Sequence, residues 1–348
     1  MTVEKWSGNA NYPNQGFVSL EICQSNTSIC QIIDHVLVDT GSYGLRLMSA
    51  SVHLALPQST INGAPLAECT HFVSGYMWGT VAAADVTLGT QKATGVPIQV
   101  IDGTYAQIPN SCSSSGGTAM NTASALGANG ILGIGSFQQD CPGCATQART
   151  GHYYTCASTS CVPTAVPLNA QVINPVAMLA SNDNGVILEL PTVSSSGQPS
   201  AIGRLTFGID TSTNNAITSE TVFDLDTFGY LTTTYGGNVY SRSYIDSGSN
   251  GIFFTDNTIT RCTGSSGFYC PSSSLSKPAV ISSGANAQTI SFVVDNPTTI
   301  PTSYAVLPNL AGSGSDFAWG LPFFYGRKVF VSISGKSATG KTSPVIAF

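Results

Sequence analysis

At 348 residues the chain is long enough for two lobes with separate cores, and its 12 Lys plus Arg against 18 Asp plus Glu give a net charge of −6. So few basic residues exclude a phosphate-neutralising face, and with it a nucleic-acid partner. Only 9% of positions are charged, yet 42% are apolar and 36 Gly with 18 Pro punctuate the sequence, which excludes disorder and favours strands joined by turns.

The chain opens Met1-Thr2-Val3-Glu4-Lys5-Trp6 without a signal peptide, and it has no apolar run long enough to span a membrane. Its ten cysteines fall mostly at short spacings, Cys23/Cys30, Cys141/Cys144, Cys156/Cys161 and Cys262/Cys270, with Cys69 and Cys112 completing the even count. Read as disulfides, they place the protein in an oxidising compartment. The expectation is therefore the mature form of an exported protein with an initiating Met, periplasmic or extracellular, with a lipid anchor on the precursor left open.

Gly16 to Leu47 reads as a hairpin whose polar tip, Gln24 to Ser28, places Cys23 opposite Cys30, so a cross-strand disulfide is geometrically easy. Strands are predicted near 71–90 and 95–102, then a Ser/Gly-rich loop at 111–119 leading to Asn129-Gly130-Ile131-Leu132-Gly133-Ile134-Gly135. Residues 138–165 read as a loop carrying four cysteines. A short helix is predicted at 175–180 and a strand at 185–190. Ser194 to Ser200 is the most linker-like segment, and Arg204 to Asp210 follows it. Tyr230–Tyr235, Gly236-Gly237 and Asn238–Ser241 read as a tight hairpin. Alternation dominates throughout, which predicts an all-β protein with a few short helices.

Two runs stand out: Asp39-Thr40-Gly41-Ser42 and Asp246-Ser247-Gly248-Ser249, each between strand-like apolar stretches. Two carboxylates held by a repeated loop are the hardware for an acid and a base acting on one water.

These residues resemble the bilobal, pepsin-like aspartic proteases, whose two catalytic loops they match in order and spacing. Each lobe of that family also has an apolar-apolar-Gly signature behind its loop. Ile131-Leu132-Gly133 fits the first, and Ala318-Trp319-Gly320 with Leu321-Pro322-Phe323-Phe324 fits the second loosely. The segment from Asn182-Asp183-Asn184-Gly185 to Phe207-Gly208-Ile209-Asp210 resembles the family's connection between lobes. The overall likeness is nearest to an uncharacterised family of bacterial envelope proteins with pepsin-like signatures.

The resemblance implies a double-barrel fold with a central cleft. Residues 1–196 would form an N-terminal lobe carrying Asp39, the flap and a Cys-rich insertion near 138–165, and residues 197–348 a C-terminal lobe carrying Asp246. It further implies that Asp39 and Asp246 share a proton and activate water, while Ser42 and Ser249 bind their outer oxygens. Thr40 and Ser247 would reach across to the opposite lobe, and Gly41 and Gly248 would let backbone N–H groups approach the carboxylates. No metal or cofactor is required, the partner is a polypeptide substrate, and the protein is expected to be a monomer.

The sequence departs from the family in three places. The flap, Phe72-Val73-Ser74-Gly75-Tyr76-Met77-Trp78-Gly79, puts either Phe72 or Tyr76 where a Tyr normally caps the cleft. Arg46 replaces a supporting Trp, and Leu321 an acidic neighbour of the second loop. These changes keep a non-cleaving module that binds a peptide, an envelope protein or a glycan as the alternative.

Other motifs fit less well. Gly335-Lys336-Ser337-Ala338-Thr339-Gly340-Lys341-Thr342 matches the phosphate-loop pattern, but only six residues follow, so the required helix cannot form and a hairpin tip is expected. The cysteines at 141, 144, 156 and 161 fit zinc or a redox centre less well than two disulfides stapling a long loop, with the pairing open. His35 reads as structural, and His53, His71 and His152 as surface or loop residues. No Gly-x-Ser-x-Gly elbow is present for a serine hydrolase. A glycosidase carboxylate pair fits the Gly-Ser setting poorly. Trp78, Trp319, Tyr153 and Tyr154 read as core or cleft wall.

Overall fold

In the strand Cys30–Asp39 the run Val36-Leu37-Val38 is buried on both faces, as it must be where strands pack inside a closed sheet. Its neighbour Gly16–Cys23 is antiparallel to it, with Cys23 opposite Cys30 as the hairpin reading expected. The computed structural model describes residues 1–6, 12–114, 117–264 and 267–348. Residues 115 and 116 of the Ser/Gly-rich loop lie outside that set.

The strands Gly75–Leu88, Gln91–Ile101, Tyr43–Met48, Gly130–Ile134, Cys30–Asp39 and Gly16–Cys23 are joined in that order, and the last pairs back onto the first through Ile22 and Val86. That pairing closes a barrel and removes its free edges. Leu45, Leu47, Val86, Ile98, Leu132 and Ile134 fill it, all fully buried. Outside the ring, Ala64–Phe72 pairs with Gly75–Leu88 to make a long hairpin with its tip at Val73 and Ser74.

In the second half, a seven-stranded sheet runs through Asn286–Val294, Leu275–Ser283, Leu231–Tyr235, Asn238–Ile245, Ala318–Trp319, Ile252–Phe253 and Ala311–Gly312. Its core is aromatic, with Phe254 stacked on Phe317 at 5.3 Å and Trp319 tilted against Phe317 at 4.7 Å. A third, antiparallel sheet links Gly185–Glu189 with Arg204–Phe207 and Lys328–Ser332, and continues through Val345–Ala347 to Val222–Asp224. Val38 and Leu132 from the first barrel share one apolar cluster with Trp319 and Leu321. The fold is an all-β double barrel, and its two α-helices among the described residues, Asn110–Ser113 and Ala123–Leu126, span four residues each.

The predicted helix near 175 is a 3-10 turn, Pro175–Met178. The hairpin at 230–241 is present, turning at Gly236-Gly237. Residues 138–165 correct the reading as a loop. They contain a 3-10 turn, Pro142–Ala145, and the strands Tyr153–Ala157 and Ser160–Pro163. Tyr153–Thr155 pairs with Leu66–Glu68 and so extends the first sheet, because buried Tyr153 and Tyr154 need a sheet to pack on.

All ten cysteines are paired: Cys23–Cys30, Cys69–Cys112, Cys141–Cys144, Cys156–Cys161 and Cys262–Cys270. Such a set fits an extracytoplasmic protein. The two pairs in the insertion each close a local turn and do not staple the segment end to end. Cys262 and Cys270 do the same in the second half. Cys262 N–H donates to Phe268 O at 2.9 Å and Cys270 N–H to Thr260 O at 2.7 Å, so backbone pairing on either side brings the two sulfurs together. Among the described residues no helix is long and apolar enough to cross a membrane.

Candidate active site

Both Asp-containing loops arise from the same local arrangement. Gly130–Ile134 lies between Cys30–Asp39, which it pairs in parallel, and Tyr43–Met48, which it pairs antiparallel. The chain must therefore turn sharply around Gly133, and Asp39 to Ser42 make that turn. In the second half Ala318–Trp319 sits between Asn238–Ile245, parallel, and Ile252–Phe253, antiparallel. Asp246 N–H donates to Trp319 O at 2.9 Å at the matching point.

The two turns lock onto each other. Thr40 N–H donates to Ser247 Oγ at 3.1 Å, and Ser247 N–H donates to Thr40 Oγ1 at 2.9 Å. Thr40 Oγ1 then donates to Ile245 O at 3.2 Å and Ser247 Oγ to Val38 O at 2.8 Å. Each hydroxyl is thus both donor and acceptor across the junction, so no buried polar atom is left over. Thr40 is 6% exposed and Ser247 fully buried.

The carboxyls are held equally alike. Gly41 N–H donates to Asp39 Oδ1 at 2.7 Å and Ser42 Oγ to Asp39 Oδ2 at 2.5 Å. Gly248 N–H donates to Asp246 Oδ1 at 2.7 Å and Ser249 Oγ to Asp246 Oδ2 at 2.6 Å. A Cβ on Gly41 would lie 2.6 Å from Asp246 Cγ, and one on Gly248 would lie 2.6 Å from Asp39 Oδ1. Each glycine therefore faces the other loop's carboxyl, and no larger residue fits there.

Asp39 is 6% exposed beneath an exposed Gly41, whereas Asp246 is half-buried. Burial pushes the Asp39 carboxyl well above its ordinary range, and the charge of Asp246 and a hydrogen bond to it push the same way. Tyr43 lies against Phe137 at 5.2 Å, and its phenol is pushed up by burial and then by Asp39. Burial and the charge of Asp246 push Tyr244 up to about 12. Both phenols thus stay protonated beside the carboxyls.

Of the flap residues, Trp78 is fully buried, with its indole N–H donating to Tyr105 O at 2.7 Å. Tyr76 is 8% exposed and packs in the same cluster as Trp78, Tyr154 and the Cys69–Cys112 pair. Phe72, half-buried beside the tip, packs against the cluster containing Phe17, Leu37 and Met77. Trp319, Tyr153 and Tyr154 are fully buried core. Leu321 is buried, and its N–H holds Ser249 O at 2.7 Å.

The cysteines belong to the scaffold and not to the site. Cys270, half-buried and bonded to Cys262, follows Tyr269, whose phenol donates to Phe254 O at 2.6 Å. Its disulfide therefore braces the segment after the strand Ile252–Phe253, and none of the eight residues of the two Asp-containing loops is a cysteine.

His71 corrects the surface reading. It sits half-buried on the flap's first strand, 3.0 Å from Cys112 O, because the strand covers that helix. The phosphate-loop look-alike is the tip between Lys328–Ser332 and Val345–Ala347, and its lysines are taken by carboxylates. Lys336 pairs with Asp183 and Lys341 with Asp224, both at 2.5 Å. A cavity of about 310 Å³, lined by Met1, Phe17, His35 and Phe207 among others, includes none of the eight residues of the two Asp-containing loops.

Sequence reasoning noted Arg46 only as a replacement for Trp and missed its partners Glu68 and Asp140, which bind it at 2.8 and 2.9 Å. The one available signal was a charge between two core leucines in Leu45-Arg46-Leu47, where a buried ion must find a counter-charge.

No curated protein matches this sequence. Over residues 1–348 the chain matches the family described as "Protein of unknown function (DUF3443)", and it belongs to that family.

Proposed function

We propose that this protein is an aspartic endopeptidase acting on extended polypeptides, in which Asp39 and Asp246 share one proton and activate a water. The observation that carries this reading is the mirrored pair of Asp-hydroxyl-Gly-Ser loops, each holding its carboxyl against the other loop's glycine. Two acids this close cannot both ionise comfortably, so they titrate as a pair. In this reading the proton rests on Asp39, the more buried of the two, where a charge is harder to hold.

Asp246, as carboxylate, takes a proton from the water while the oxygen attacks the scissile carbonyl carbon. Asp39 gives its proton to the carbonyl oxygen, yielding a neutral diol. Collapse returns one diol proton to Asp39, and Asp246 passes its proton to the amide nitrogen. The C–N bond then breaks to leave an acid and an amine. The fixed donors Gly41, Ser42, Gly248 and Ser249 keep both carboxyls in place throughout.

The test is digestion of a denatured protein across pH 3–7, with and without a statine-type inhibitor. Asp39→Asn and Asp246→Asn should each lower cleavage by about a thousandfold or more while the fold is kept. Full cleavage by either variant would remove the mechanism. Stability supplies a second readout. The raised Asp39 carboxyl favours the fold below its ordinary value of 3.8 and costs stability as pH rises through its folded value. Asp39→Asn should therefore melt higher than the parent at pH 7.

One observation favours a second reading, a module that binds peptide without cutting it. Tyr76 and Trp78 point into the core, which leaves the flap without an aromatic residue that both caps the cleft and carries a polar tip. Complete inertness of the parent protein over the same pH range, with the inhibitor still bound, would favour it.

A further inference from the structure

Beside the first catalytic loop lies a cluster of buried charge that the dyad chemistry does not use. Arg46, on the strand leaving that loop, is 1% exposed. Its Nη1 donates to Tyr43 O at 2.5 Å and its Nε to Thr70 Oγ1 at 3.0 Å. Nη2 donates to two carboxylates at once, Glu68 Oε1 at 2.8 Å and Asp140 Oδ2 at 2.9 Å. One guanidinium thus faces two acids, Glu68 at 1% and Asp140 at 13% exposed.

Buried charge is tolerated where it is balanced, so a second uncompensated carboxylate here is costly. Glu68 Oε2 is also buried without any partner. A single proton shared between Glu68 and Asp140 leaves one carboxylate for one guanidinium, and a proton on Glu68 removes the charge from its unpaired oxygen. Burial, and then Glu68, push the Asp140 carboxyl up, in keeping with this.

Three parts of the chain meet at the cluster: the strand after the Asp39 loop, the flap's first strand through Glu68 and Thr70, and the insertion through Asp140. Tyr153 anchors the last of these, donating to Asp140 Oδ1 at 2.6 Å and accepting from Val172 N at 2.8 Å. Of the remaining titratable groups, His152 feels Glu68 and is flanked by His71 and Arg149.

We propose that Arg46 is a positioning residue for the Asp39 loop, locked by Glu68 and Asp140 as a second carboxyl pair, and that the Cys-rich insertion serves to complete this lock. The consequence for cleavage rests on the endopeptidase reading; the lock itself does not.

Hydrogen exchange on the full chain, followed by mass spectrometry from pH 3 to 8 and corrected for intrinsic rates, tests it without requiring activity. In the parent protein, protection of residues 40–46 should fall as pH rises above 3.8, because the pair loses its proton and Arg46 then faces two charges. Asp140→Asn keeps one carboxylate for Arg46 and should remove that pH step when both proteins carry Asp39→Asn, which takes out the step that Asp39 itself contributes through Gly41 and Ser42. Arg46→Met should raise exchange in 40–46 about tenfold, and by less in 246–252, which is tied to it only through Thr40 and Ser247. If Arg46→Met does not fold, Asp140→Asn decides alone.

A pH-flat parent, or a pH step that survives Asp140→Asn in the Asp39→Asn background, would overturn the lock. Where the parent cleaves, Arg46→Lys should lower kcat about tenfold with KM little changed, since only loop placement is lost; an unchanged kcat would also overturn it. Where the parent does not cleave, the endopeptidase reading fails and the exchange data still judge the lock.

Discussion

Thr40 and Ser247 carry the same task from opposite halves of the chain: each offers a hydroxyl that accepts one backbone N–H and donates to one backbone carbonyl. Losing either hydroxyl strands one N–H and one carbonyl, both on the opposite half. Thr40→Ala leaves Ser247 N–H and Ile245 O unpaired in a dry junction, and should cost about 2–4 kcal/mol. Urea unfolding measures that loss. Because the junction sets the spacing of the carboxyls, the same variant should also lose protection at Gly41 and Gly248. A cost below about 0.5 kcal/mol, the size of an ordinary surface change, would mean the junction does not hold the loops. The pair Gly41 and Gly248 works by what it omits, since any side chain there would occupy the other loop's carboxyl.

Among the elements, Asp256 ties three pieces of the second barrel together. Tyr235 from one strand donates to its Oδ2 at 2.5 Å, Thr258 donates twice to Oδ1, and Lys277 from another strand lies 3.3 Å away. Burial pushes this carboxyl up, but the bonds from Thr258 and Tyr235 outweigh it and hold it at about 2. A depressed carboxyl contributes stability above its ordinary value of 3.8 that is lost as pH falls toward 2. Asp256→Ala should therefore cost about 2 kcal/mol at pH 6 and progressively less on acidification. Thermal melts of parent and variant across pH 2–6 should converge at the acid end; parallel curves would mean the bonds do not favour the ionised form.

At the scale of the whole molecule, the disulfides differ in how much chain they constrain. Cys69–Cys112 closes a separation of 43 residues and fastens the flap's first strand to the helix Asn110–Ser113. Cys23–Cys30 closes only 7, at a hairpin tip that would form regardless. Loop-closure entropy puts the two at about 4 and 2.5 kcal/mol. Replacing Cys69 and Cys112 together with Ala should thus lower the melting temperature more than replacing Cys23 and Cys30, and scanning calorimetry of the two double variants checks the order.

Much of this was legible locally. Alternation and turn residues mark the strands, the spacing of Cys23 and Cys30 marks their pairing, and each Asp-containing loop stands out as a short motif between apolar runs. The insertion's strands were hidden because their burial depends on a partner, Ala64–Phe72, roughly ninety positions earlier. The phosphate-loop match failed for the converse reason, a local pattern without its structural setting. A strand's own residues determine its period and its buried face, because those follow from backbone geometry alone. Only the tertiary structure decided which strand closes the barrel onto Gly75–Leu88, that the two loops meet, and that one buried arginine faces two acids. Those contacts join residues far apart in the chain, and nothing near Arg46 in the sequence specifies what will stand opposite it.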